Sequence, residues 1–195
     1  MEHDFFSKLN FKNSKPKAGK VLISEPFLAD PYFKRTVVFL VEHTREGSVG
    51  FILNKPVNIL LSDVVSDFPN TRAEVYFGGP VNQNNLFFLH TYGGILSDSR
   101  HVKDGIYWGG NFDQLKFLVE NKQISIDNFR FFAGYSGWSK NQLSDELKEK
   151  SWIVSDIDVN KILEVNPKQF WKDLLKAMGS NFEIMSKFPE DPSMN

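Results

Sequence analysis

From position 36 to 42 the chain reads TVVFLVE, five apolar side chains in a row with apolar residues at both odd and even positions. Side chains alternate between faces along a strand, so a strand apolar at both parities must be covered on both sides. β-branched and aromatic runs predict further strands over 21–24, 49–53, 74–77, 86–90, 105–108, 128–133 and 152–155. The polar stretch between the strands at 36–42 and 49–53 reads as a hairpin turning at Gly47. Adjacent rings such as Tyr76-Phe77, Phe87-Phe88 and Phe131-Phe132 then fall on opposite faces, which points to core packing. Lysine and arginine are not interleaved with them, as a stacking platform for single-stranded nucleic acid would require.

Capping patterns mark the helices. Asn111 with Gln114 and Ser139 with Gln142 fit the capping box, predicting helices over 112–121 and 140–150. A third helix is expected from Pro167 to just before Gly179, and short helical turns over 60–67 and 159–165. Strands and helices mix without strict alternation. The expected fold is a single α+β domain with a curved mixed β-sheet, partly barrel-like, flanked by helices. Three segments are expected: a flexible basic arm over 1–19, the domain over 20–180, and a disordered tail over 181–195.

The chain has no cysteine, which removes disulfides and thiolate metal sites and fits a reducing compartment. No run reaches a membrane-spanning length, and Met1-Glu2-His3-Asp4 lacks a secretory layout, so a cytoplasmic protein is expected. The formal net charge of -1 divides unevenly. Lys8, Lys12, Lys15, Lys17 and Lys20 cluster near the amino end; without them and the preceding Glu2 and Asp4, 18 cations face 22 acids, a net of -4. Nucleic-acid contact is therefore expected only through the arm.

Several motifs occur together. Ser24-Glu25-Pro26-Phe27-Leu28-Ala29-Asp30-Pro31-Tyr32-Phe33-Lys34-Arg35-Thr36-Val37-Val38 is followed by Glu42-His43 and Gly50-Phe51-Ile52-Leu53-Asn54-Lys55-Pro56. Phe77-Gly78-Gly79-Pro80-Val81, Leu89-His90 and Phe132-Ala133-Gly134-Tyr135-Ser136-Gly137-Trp138 come next, then Gln142-Leu143, Glu146-Leu147 and Ser151-Trp152. This series closely resembles the AlgH/YqgE family of bacterial proteins. The resemblance implies a cytosolic, single-domain α+β protein. The family is often labelled a transcriptional regulator, and the resemblance supplies no catalytic residue to carry over.

The candidate ligand or partner surface comprises Glu25, Arg35, His43, Asn54, Lys55, Gly78, Gly79 and His90. His43 beside Glu42 has the makings of a general base, against the plainer reading that both fix the turn. Arg35 with Lys55 is a candidate anion clamp, and Asn54-Lys55-Pro56 a chain reversal. Gly78-Gly79 permits an amide anion site or a tight bend, and matches no phosphate-loop pattern. Gly134-Tyr135-Ser136-Gly137-Trp138 comes close to a nucleophile elbow, with Trp138 where glycine belongs and no histidine or acid assignable to Ser136. No catalytic residue, metal site or cofactor is assigned; His43, His90 and His101 lack ligand spacing. The expected function is a non-enzymatic binding or regulatory protein with a protein or small-molecule partner. The alternative is a small-molecule sensor or an enzyme with a polar strand-end site.

Overall fold

The computed structural model describes residues 14–164 and 166–189. Its strands are β1 Val21–Ser24, β2 Val37–His43, β3 Gly47–Ile52, β4 Pro56–Leu60, β5 Glu74–Phe77, β6 Val81–His90, β7 Arg100–Lys103, β8 Ile106–Trp108, β9 Phe129–Ser139 and β10 Trp152–Ser155. The described helices are α1 Leu61–Val64, α2 Phe112–Glu120, α3 Gln142–Lys148, α4 Asn160–Leu163, α5 Phe170–Ala177 and α6 Ser180–Ser186. One sheet runs β10-β1-β2-β3-β9-β6-β8-β7, with β5 also on β9 and β4 on β5. It is mixed, because β5 and β9 are parallel and every other pair is antiparallel. The curvature does not close it into a barrel: β10 and β7 are its ends.

Strand parity sorts the core as the sequence demands. Val37, Phe39 and Val41 join Phe51 and Phe132 on one face, under Ile162, Trp171, Leu175 and Met185 from the C-terminal helices. On the opposite face Val38 and Leu40 pack with Ile52, Trp138, Leu143 and Trp152, while Phe131 and Phe88 pack with Leu61, Leu115 and Leu118. Burying each such side chain contributes roughly 1.5–3 kcal/mol.

β9 is the organising strand. Its first half pairs with β5 on one edge and β6 on the other, and its second half pairs with β3. The link from β5 to β6 must therefore cross β9, and Gly78-Gly79 makes the crossing. A Cβ on Gly78 would stand 2.2 Å from the Gly134 carbonyl oxygen, and one on Gly79 2.3 Å from the Tyr135 carbonyl carbon. Backbone passes directly over backbone there.

Four expectations need correction. β4 and β7 were not legible as strands: β4 is interrupted at Asn58 (φ 57°), and β7 (RHVK) is a polar edge. The strand expected to end at Ala133 continues to Ser139, so the elbow-like motif lies within a strand instead of at a turn into a helix. The tail expected to be disordered from 181 begins as α6, because Phe182 and Met185 lie one helical turn apart and Met185 is fully buried. Within the expected arm, residues 1–13, with Lys8 and Lys12, lie outside the described residues. Residues 14–19 are held to the body: the Ser14 hydroxyl donates to the Val154 carbonyl at 3.2 Å, and the Gly19 amide to Leu40 at 2.8 Å. Lys20 is buried, its ammonium 3.2 Å from Asp156.

Candidate functional site

Four of the residues singled out in the sequence meet at one corner. The Asn54 amide donates to the Arg35 carbonyl at 2.9 Å, and its oxygen accepts the Val37 N–H at 2.9 Å. The next residue, Lys55, donates from its ammonium to the carbonyls of Pro31 (3.0 Å) and Tyr32 (2.8 Å), and half-burial pushes its pKa down. The Lys55 carbonyl accepts the Phe77 N–H at 2.7 Å, and the Gly78 carbonyl accepts the Ile52 N–H at 3.0 Å. Arg35 lies over Trp171 at 5.0 Å and donates to the Phe188 carbonyl at 2.6 Å. Glu25 accepts the Phe27 N–H at 2.9 Å, and Phe27 stacks on Phe188. These side chains bind turns and the C-terminal segment to the sheet.

The histidines lie apart from this corner. His43 is exposed at the hairpin tip, 2.7 Å from the Ser48 hydroxyl through Nδ1, while Glu42 turns to Arg100 at 2.8 Å instead of orienting it. His90 is fully buried between the rings of Tyr107 and Phe129. Its Nε2–H donates to the Gly109 carbonyl at 2.9 Å, and its Nδ1 accepts the Tyr92 N–H at 3.1 Å. That pairing selects the neutral tautomer and leaves no ring nitrogen for a metal or a proton transfer. Ser136 is also fully buried, its hydroxyl donating to the Gly78 carbonyl at 2.9 Å. Among the described residues no cluster of three or more His, Asp or Glu is placed to hold a metal, and no helix is long and apolar enough to cross a membrane.

A different group of polar side chains forms a cleft of about 200 Å³ between the start of β9, β5 and α4. Arg130 is at its base, only 4% exposed. Its guanidinium lies 3.8 Å from the centroid of the Tyr76 ring and donates to the carbonyls of Leu53 (2.6 Å) and Leu163 (3.1 Å). Those two acceptors use two of its five donors, and Nε has none among the described residues. Desolvation lowers its pKa from the ordinary arginine value to about 10, so it remains a cation at neutral pH. No carboxylate forms an ion pair with it among the described residues. Leaving a buried ion unpaired costs several kcal/mol. Tyr76, its own pKa raised by burial, donates from its hydroxyl to Glu74 at 3.3 Å, and Arg72, Glu74 and Asp127 form the exposed rim.

The AlgH-like family model matches residues 21–183. The chain belongs to the AlgH-like family. It is 43% identical over 178 residues to a UPF0301 protein of Cytophaga hutchinsonii, covering 91% of this chain and 98% of that one. A UPF0301 protein of Bacteroides thetaiotaomicron is 40% identical over 100% of this chain and 99% of its own length. The solution structure of AlgH from Pseudomonas aeruginosa superposes with a TM-score of 0.72 at 25% identity, covering 92% of this chain and 98% of that one. The crystal structure of a Corynebacterium diphtheriae protein, DIP2367, gives 0.77 at 20% identity over 91% and 95%, a likeness of fold alone. The motif series read from the sequence is thus borne out as an AlgH-like signature.

In this AlgH-like chain several of the motif residues meet at the corner, and none of them lines the cleft. One sequence signal pointed to it. Arg130 is a lone cation in Phe129-Arg130-Phe131-Phe132, inside a strand whose neighbours are covered on both faces. A charge in such a position is buried, and a buried charge needs a partner.

Proposed function

We propose that this AlgH-like protein acts in the cytoplasm by binding, not by catalysis, and that its ligand is a small molecule whose carboxylate or phosphate docks on Arg130. One observation carries this reading: a buried cation with no carboxylate in ion-pair contact among the described residues forms the base of a polar cleft. A planar guanidinium whose Nε has no acceptor among the described residues suits an oxyanion. The binding reading is further supported by the engagement of His90 and Ser136 in internal hydrogen bonds. A regulatory role through direct duplex contact has little support from a chain of net charge -1.

Thermal-shift screening with small carboxylates and phosphorylated metabolites tests the proposal. A ligand at about 100 times its Kd stabilises by about 2.7 kcal/mol, which raises Tm by roughly 5–10 °C for a chain of this size. Arg130→Lys, which keeps the charge but loses the fork, is expected to fold and to lose most of that shift. Finding no compound that shifts Tm, or a shift unchanged in Arg130→Lys, overturns the proposal.

A further inference from the structure

We infer that the ligand of the Arg130 cleft is a small zwitterion of the α-amino-acid type, its carboxylate on Arg130 and its ammonium toward the carboxylates of Glu74 and Asp127. This rests on the binding reading above and adds the identity of the second charge.

The charge layout carries it. The base of the cleft is cationic and buried, while two acids and one cation, Arg72, stand at its exposed rim, which is therefore net acidic. Neither Glu74 nor Asp127 forms an ion pair among the described residues. Glu74 accepts the hydroxyl of Tyr76, whose ring lies against Arg130, so the acid and the cation are joined through one side chain. A bare oxyanion entering there brings a second negative charge next to Glu74, and like charges in a partly desolvated site repel. A ligand with both signs answers both walls. Size limits it further: about 200 Å³ is the share of six or seven waters at about 30 Å³ each, room for on the order of ten non-hydrogen atoms. Ala73, Ile126 and Phe129 supply apolar wall for a short aliphatic side chain.

The test is isothermal titration calorimetry of the full chain against small aliphatic amino acids, their N-acetyl and 2-oxo analogues, the matching amines, and inorganic phosphate. At least one free amino acid is expected to bind, and its N-acetyl, 2-oxo and amine counterparts to bind at least tenfold more weakly. Glu74→Gln, an exposed substitution that leaves the core intact, is expected to weaken the amino acid at least tenfold and to leave its 2-oxo analogue unchanged or improved. If the 2-oxo acids or phosphate bind as tightly as the amino acid and depend on Arg130, the zwitterion inference is overturned while the binding reading stands. If Glu74→Gln leaves amino-acid affinity unchanged, the inference is likewise overturned. If no compound of this panel binds, the zwitterion inference falls, and the binding reading is decided by the thermal-shift screen of carboxylates and phosphorylated metabolites.

Discussion

Arg130 and His90 are both buried titratable groups, and their surroundings treat them oppositely. Arg130 keeps its charge and has backbone acceptors for only part of its guanidinium, Nε having none among the described residues; His90 gives up its charge and has an acceptor and a donor in place. Burial pushes the His90 pKa below its ordinary 6.5, with the Gly109 hydrogen bond opposing in part. In the unfolded chain this imidazole takes up a proton as pH falls through 6.5, while in the fold it stays neutral to lower pH. The unfolded state then binds more protons, so the stability His90 contributes is fully present above pH 6.5 and is lost as pH falls below it. Denaturant melts between pH 7.5 and 5 are expected to show this decline, and His90→Gln to flatten it. A slope unchanged by the substitution refutes the assignment. Gly79 illustrates a constraint of space. Its φ of 150° and the Tyr135–Ser136 backbone within 2.4 Å of a built Cβ leave no room for a methyl group. Gly79→Ala is expected to cost more than about 3 kcal/mol in chemical denaturation, near the upper range for single substitutions; a cost below about 1 kcal/mol refutes the crossing geometry.

At the scale of elements, α3 is fastened to the sheet by one carboxylate. Glu146 Oε2 accepts the indole N–H of Trp138 on β9 at 2.8 Å and that of Trp152 on β10 at 2.7 Å, while Gln142 donates to Oε1 at 2.9 Å. Glu146→Ala leaves the indole donors of two buried tryptophans without this acceptor. The expected loss is about 2–4 kcal/mol by urea denaturation, with a red shift of tryptophan emission as the rings meet water. Glu146→Gln, which keeps an acceptor oxygen, is expected to lose less. The capping signals were partly sound. Asn111 does accept the Gln114 N–H at 2.9 Å, but the Gln114 side chain reaches Ser97 and Ile95 instead of returning to the cap. At α3 the pattern is reversed: Gln142 accepts the Ser139 N–H, and Asn141, with φ of 68°, is the residue before the helix. Periodicity finds strands whose two faces are buried, as in β2. It misses β7, where polar side chains face water and the backbone pairing makes the strand, and β4, a short apolar run broken at Asn58 with Ile59 exposed.

Over the whole molecule, the fold was legible because parity, turn residues and caps agree over most of the chain. The site was less so. Arg35 and Asn54 meet because one precedes β2 and the other follows its hairpin partner β3, which is local geometry. Whether the polar atoms of Lys55 and Arg35 were free for a ligand depended on Pro31 and Tyr32 for the first and Phe188 for the second, which no local pattern brings near. The Arg130 cleft needed β5, β9 and α4 at once, and only Arg130's isolation among aromatics hinted at it.

The crossing of β5 to β6 over β9 bears on how the protein is made. A nascent chain emerges amino end first, so β5 and β6 leave the ribosome before the strand that separates them, which starts only at Phe129. They cannot finish as a hairpin with each other, and each presents an aromatic edge until β9 arrives between them. Such delayed, non-local pairing slows folding and exposes unpaired strands to other chains. The completion of the sheet is thus tied to late synthesis, and a chain interrupted before Phe129 keeps two sticky edges with nothing of its own to cover them.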